Sequence, residues 1–190
     1  MSSLSEKDIA ILGVCLQTMR IIGHLRDPYY NGHEKRVAFT CKRLAERLGL
    51  EGDFIKKLEY ACWFHDVGKV TIAENILNKP RLSHSEISMI RSHALSGSDI
   101  VRGLQLDDNE IVQMIRNHHE NFDGTGYPKG IMGEEIPIGA RIIRVVDTFD
   151  AMTNIRPYRS IYTVRESLYE MDKENGTSFD PSIYQAFKEI

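Results

Sequence analysis

Residues 63–70 read WFHDVGKV: a histidine and an aspartate side by side at the end of an apolar run, followed by a glycine and a lysine. Upstream, Ile55, Leu58 and Cys62 recur at steps of three and four, the spacing that puts side chains on one face of an α-helix. His65 continues that stripe and is therefore aimed at the core, and Gly68 ends the helix. The same arrangement recurs on either side. His33, Val37, Cys41, Leu44 and Leu48 fall on one face of a preceding helix. A capping box, Ser83 with Glu86, opens a helix that leads to His93, three residues after Ile90. Asp107 or Asp108 caps another, whose Ile111, Met114 and Ile115 lead into His118 and His119.

A helix from about Ile138 to Met152 brings Ile143, Val146, Asp147 and Asp150 near one another. Thr163 with Glu166, and Asp180 with Pro181, mark the starts of two last helices. Between the histidine pair and that helix, residues 119–135 read HENFDGTGYPKGIMGEE, too rich in glycine and turn residues for a regular element. They form a loop. No stretch alternates with period two and no repeat is evident, so the expected fold is all-α, a bundle of helices. Ile9, Leu12, Leu16, Met19 and Ile22 predict a first helix ending near Asp27-Pro28. Residues 1–26 then read as an N-terminal helix that would link to an upstream domain, and 27–190 as the main domain.

The 190 residues, 42% hydrophobic and 27% charged, suit one domain with an ordinary core. A formal net charge of -3 supplies no general basic field to gather a nucleic acid polymer or an anionic membrane. Cys15, Cys41 and Cys62 have no CxxC spacing and lie within apolar helical patterns, as core thiols of a reducing compartment do. The start has no basic region followed by an apolar run, and no stretch approaches the length of a membrane span. A cytoplasmic location is the expectation.

Five of the seven histidines stand at or near the ends of apolar stripes, and only His24 and His84 are left over. Taken singly, each is more readily a core histidine with a hydrogen-bond partner. As a set, His33, His65, Asp66, His93, His118, His119 and Asp147 would each need a separate solution to the cost of burying a polar group. One shared metal site solves them together. Imidazole and carboxylate ligands suit iron, manganese, nickel or zinc, and the lack of ligand cysteines argues against a structural zinc. If Asp66 bridges two ions, the seven residues donate roughly eight bonds, and a shared hydroxide about two more, leaving room for substrate oxygens. Such an ion pair activates water for in-line attack at phosphorus, which makes phosphoester hydrolysis the expected chemistry.

With these residues in view, the sequence resembles the HD-GYP family of bacterial cyclic di-GMP phosphodiesterases, a branch of the HD hydrolase superfamily. The resemblance runs from about Asp27 to Phe187 and rests on DPYYNGH, HDVGK, ILNKPRL, His93, NHHENFDGTGYP, IPIGARIIRVVDTFDAMT, RPYR and FDP, in that order. It implies an HD-domain helical bundle with a GYP loop and additional C-terminal helices. It also implies metal ligands at His33, His65, Asp66, His93, His118, His119 and Asp147, with Asp66 and Lys69 catalytic. Lys69 would face the substrate phosphate, while Tyr127, Arg156 and Arg159 contact the nucleotide. A guanidinium fork suits phosphate or a guanine edge.

Members with a third metal carry a glutamate four residues before the first ligand histidine, where this chain has Tyr29. A phenol is a poor ligand at neutral pH, so two divalent ions are expected, iron or manganese foremost. The implied reaction is hydrolysis of cyclic di-GMP to pGpG, either ending there, as the smaller metal complement favours, or continuing to GMP. The alternatives are hydrolysis of another cyclic dinucleotide, 3′,3′-cyclic GMP-AMP, and a catalytically weak sensor or interaction domain. The resemblance also makes the GYP loop a docking surface for a diguanylate cyclase (GGDEF) domain. The apolar stripe of the first helix leaves room for a homodimer.

Overall fold

The computed structural model describes residues 32–104, 108–154 and 161–190, together with 10, 11, 13–15, 18, 21 and 22. Its helices are α1 (His33–Arg47), α2 (Asp53–Phe64), α3 (Glu74–Leu77), α4 (His84–Arg91), α5 (His93–Gly103), α6 (Asn109–Asn117), α7 (Ile138–Thr153), α8 (Val164–Asp172) and α9 (Pro181–Phe187), with 3₁₀ turns at Val67–Thr71 and Gly133–Glu135. Among the described residues there is no strand, only an isolated backbone bridge between Asn175 and Phe179. The all-α expectation holds. None of the described helices is long and apolar enough to cross a membrane. The described positions before residue 32 are helical, as the sequence predicts there. The expected helix end at Asp27-Pro28, Tyr29 and the RPYR segment lie outside the described residues.

Helix α7 is the axis of the bundle. Its Ala140, Ile142, Ile143, Val145 and Val146 are buried, and α1, α6, α8 and α9 pack around it. Helices α1 and α2 pack on each other through Val37, Cys41, Leu44, Leu58, Ala61 and Cys62, a stripe of small and branched side chains that lets the two axes approach.

The start signals act as their chemistry requires. Ser83 with Glu86 and Thr163 with Glu166 form complete capping boxes. Asp108 accepts from the Glu110 N–H, and Asp180 from those of Ser182 and Ile183 beside a proline in the first turn. The helix begun at Ser83 ends at Arg91, and a new one starts at His93 after the single residue Ser92. The ENIL turn of α3 is too short to carry a periodic signal in sequence.

One close approach sets the centre of the molecule. The 3₁₀ turn after α2 packs against the start of α5 so tightly that a Cβ on Gly68 would meet the backbone carbonyl of His93. That contact brings the end of α2, with His65 and Asp66, against His93.

Candidate metal centre

The histidines stand where helices run out of backbone partners. His65 follows α2, His118 follows α6, and His93 follows the α4 segment. The last carbonyls of a helix lack an intrahelical donor. Each ring uses one: Nδ1 of His65 donates to the Cys62 carbonyl at 2.7 Å, that of His93 to Ile90 at 2.7 Å, and that of His118 to Ile115 at 2.6 Å. A carbonyl can only accept, so the proton is fixed on Nδ1 and the Nε2 lone pair faces inward. His33, at the start of α1, is aimed differently. Its Nδ1 donates to Asp150 Oδ2 at 2.7 Å, and Arg36 grips the same carboxylate through Nε at 2.7 Å and Nη2 at 2.9 Å.

The seven predicted ligands converge. His33, His65 and Asp66 form one group and His93, His118 and His119 another, each with donor atoms within 4.8 Å of one another. Nε2 of His33 and of His65 are 3.2 Å apart, and those of His93 and His118 are 3.3 Å apart. Asp66 stands between the groups: Oδ2 is 3.6 Å from His65 Nε2 and Oδ1 is 3.4 Å from His93 Nε2. Asp147 Oδ1 approaches His33 Nε2 at 3.3 Å. Two inward Nε2 lone pairs so close, with both Nδ1 atoms already donating, require a shared proton or cation between them.

The electrostatics agree with that requirement. Burial holds His118 well below its ordinary range and His119 down at about 3, with neighbouring imidazoles adding to the effect. His93 is lowered mainly by burial as well. Burial also acts to lower His33, yet its hydrogen bonds to Asp147 and Asp150 outweigh it and push that ring up to about 10. Burial would raise Asp66 and Asp147, but Lys69 and the histidines keep the first ionised and His33 the second, both well below the usual carboxylate range. Ionised carboxylates and neutral His93, His118 and His119 are the forms a divalent ion needs. His33 would have to give up its proton to join them.

Around this core lie the other predicted residues. Lys69 Nζ is 2.5 Å from Asp66 Oδ2, with about a third of its side chain exposed. The Tyr127 ring stacks on His119 with centroids 4.8 Å apart, and the Tyr127 N–H donates to the His119 carbonyl at 3.2 Å. The Arg91 guanidinium lies 5.1 Å from the Tyr127 ring centre. Arg156 and Arg159 lie outside the described residues.

Three side chains at the centre were assigned no role from the sequence, although Asp150 was placed beside Asp147. Asp150 and Arg36 orient His33, and each stands three residues after a predicted ligand, a helical-turn signal that could have found them. Buried Glu120 has no such signal. Its carboxylate accepts from the backbone N–H groups of Lys129, at 2.7 Å, and Gly130, at 3.0 Å, and ties the loop to the histidine pair.

A helical bundle whose helix ends gather paired histidines around a His-Asp step is the architecture of an HD domain. The chain belongs to the HD domain family, whose model matches residues 17–183. A cyclic di-GMP phosphodiesterase of Thermotoga maritima is 32% identical over 180 residues, covering 92% of this chain and 48% of its own length. The 3′3′-cGAMP-specific phosphodiesterase 3 of Vibrio cholerae is 35% identical over 164 residues, covering 86% of this chain and 35% of its own. The chain thus spans half or less of these relatives. Among solved structures, an HDG"Y"P protein from Bdellovibrio bacteriovorus superposes with a TM-score of 0.70 at 17% identity, over 86% of this chain and 52% of its own, a likeness of fold. The motifs and these matches lead to the same family.

Proposed function

We propose that the chain is a metal-dependent phosphodiesterase that opens cyclic di-GMP to linear pGpG. The observation that carries this reading is Asp66, whose two oxygens face two separate histidine groups. In this reading His33, His65, Asp66 and Asp147 would hold one divalent ion and Asp66, His93, His118 and His119 a second, iron or manganese being the best suited of the transition metals. When bound, such a pair acidifies water and offsets the charge of a phosphodiester.

The chain's own groups do the rest. Asp66 and Asp147 supply the negative charge that keeps the cations, and the helix-end carbonyls hold the imidazoles in one tautomer. Lys69, within reach of Asp66, swings to the scissile phosphate and supports the charge gathering on its oxygens. Tyr127 on His119 walls the site on the loop side, with Arg156 and Arg159 assigned to the nucleotide. The exposed Met132 edge of the loop is the face offered to a GGDEF domain.

A second reading, that 3′,3′-cyclic GMP-AMP is the preferred substrate, is favoured by the V. cholerae relative. Incubation of anaerobically iron-loaded or manganese-loaded protein with each dinucleotide, followed by chromatography, tests both. Linear product from cyclic di-GMP supports the first reading, and turnover of cyclic GMP-AMP alone selects the second. Metal-loaded protein that cleaves neither refutes the proposal.

A further inference from the structure

Beside the candidate centre stand two guanidinium groups to which the site described so far gives no task. Arg144 lies on α7 three residues before Asp147, on the same side of the helix. Its Nε and Nη2 donate to Asn121 Oδ1 at 3.2 and 3.0 Å, and its Nη1 to Thr148 Oγ1 at 3.0 Å. Both acceptors are neutral oxygens. Asn121 is two residues past His119 and also donates to Thr125 Oγ1 at 3.0 Å, so the guanidinium is fixed at the root of the GYP loop. Arg91, at the end of α4, meets the same loop through the Tyr127 ring. Among the described residues no carboxylate pairs with Arg91 or Arg144, whereas Arg36 and Arg141 each hold an aspartate.

Two cations that no described carboxylate pairs with, next to a site that itself gathers cations, repel one another and that site unless an anion comes between them. With all three of its nitrogens donating, the Arg144 guanidinium still keeps two of its five N–H groups, one on each Nη, for an incoming oxygen. A cyclic dinucleotide brings two phosphodiesters. Lys69 stands on the Asp66 side of the centre, Arg144 and Arg91 on the Tyr127 side. Resting on the proposed dinucleotide activity, we infer that Arg144, assisted by Arg91, receives the phosphodiester that is not being cut. The pair selects a two-phosphate substrate over a substrate with one.

The test compares cyclic di-GMP with bis(p-nitrophenyl) phosphate, a single diester, on manganese-loaded full chain. A hydrogen-bonded charge pair contributes roughly 1.5–3 kcal/mol, about ten-fold or more in affinity. Arg144→Gln is therefore expected to raise KM for the dinucleotide at least about ten-fold and to lower the ratio of kcat/KM for the dinucleotide over the single diester by as much. Arg144→Lys should restore part of that ratio. An unchanged ratio, with both substrates losing equally, would show that Arg144 only braces the loop and would overturn the inference. Should Arg144→Gln fail to fold, the exposed Arg91→Gln decides by the same ratio, with a smaller drop expected. Wild-type protein that cleaves the single diester but neither binds nor cleaves the dinucleotide would instead sink the substrate reading, a failure visible before any variant is made.

Discussion

His33 donates from Nδ1 to Asp150 Oδ2 at 2.7 Å, joining the first residue of α1 to the last turn of α7 across 117 positions of chain. Partners that orient a metal ligand typically contribute ten- to a hundred-fold in affinity. Asp150→Asn keeps the shape and removes the charge, so manganese affinity should fall by about 10–100-fold with far-ultraviolet circular dichroism unchanged. Calorimetric titration measures this, and an unaltered affinity would remove His33 from the ligand set.

Asp66 shares its oxygens between both histidine groups, so its loss should damage both at once. Asp66→Asn is expected to abolish phosphodiester cleavage and to lower bound metal below the two ions per chain proposed for the wild type. Elemental analysis of the purified variant and an activity assay read the two effects separately. Full activity with intact metal content would refute a bridging role.

Gly68 leaves no space for a methyl group, because the His93 backbone occupies it. Overpacking of this kind costs about 1–3 kcal/mol where neighbours can yield, and backbone yields poorly. Gly68→Ala should lower the urea midpoint accordingly, since the 3₁₀ turn must back away from α5. A variant as stable as the wild type would mean that this approach is slack.

The helix stripes and caps were legible because they are local: Ile55, Leu58 and Cys62 announce a buried face, and Ser83 and Glu86 a start, without reference to the rest of the chain. The ligands were legible because they extend those stripes to helix ends, where a polar group in the core needs a reason. What sequence could not show depends on how helices meet. Asp150 reaches His33 only because α1 packs on α7, and Glu120 bonds to backbone N–H groups, which carry no residue identity.

Glu86 gives a pH-dependent test remote from the centre. Hydrogen bonds from Lys79 first, then from Ser83, lower its carboxyl from 4.5 to about 2. A carboxyl depressed on folding contributes stability that is present above its unfolded value and is lost as pH falls through its folded one. The advantage of wild type over Glu86→Gln in thermal midpoint should be present above pH 4.5 and close as pH falls toward about 2. A gap that does not narrow over that window would mean the ion pair with Lys79 contributes nothing in solution.

His65, His93 and His118 take their aim from carbonyls three residues back, whereas His33 takes its aim from another helix. The two halves of the centre therefore differ in mechanical independence. A detachment of the start of α1 would remove what aims His33 and leave the rings of His65, His93 and His118 still held by their own helices.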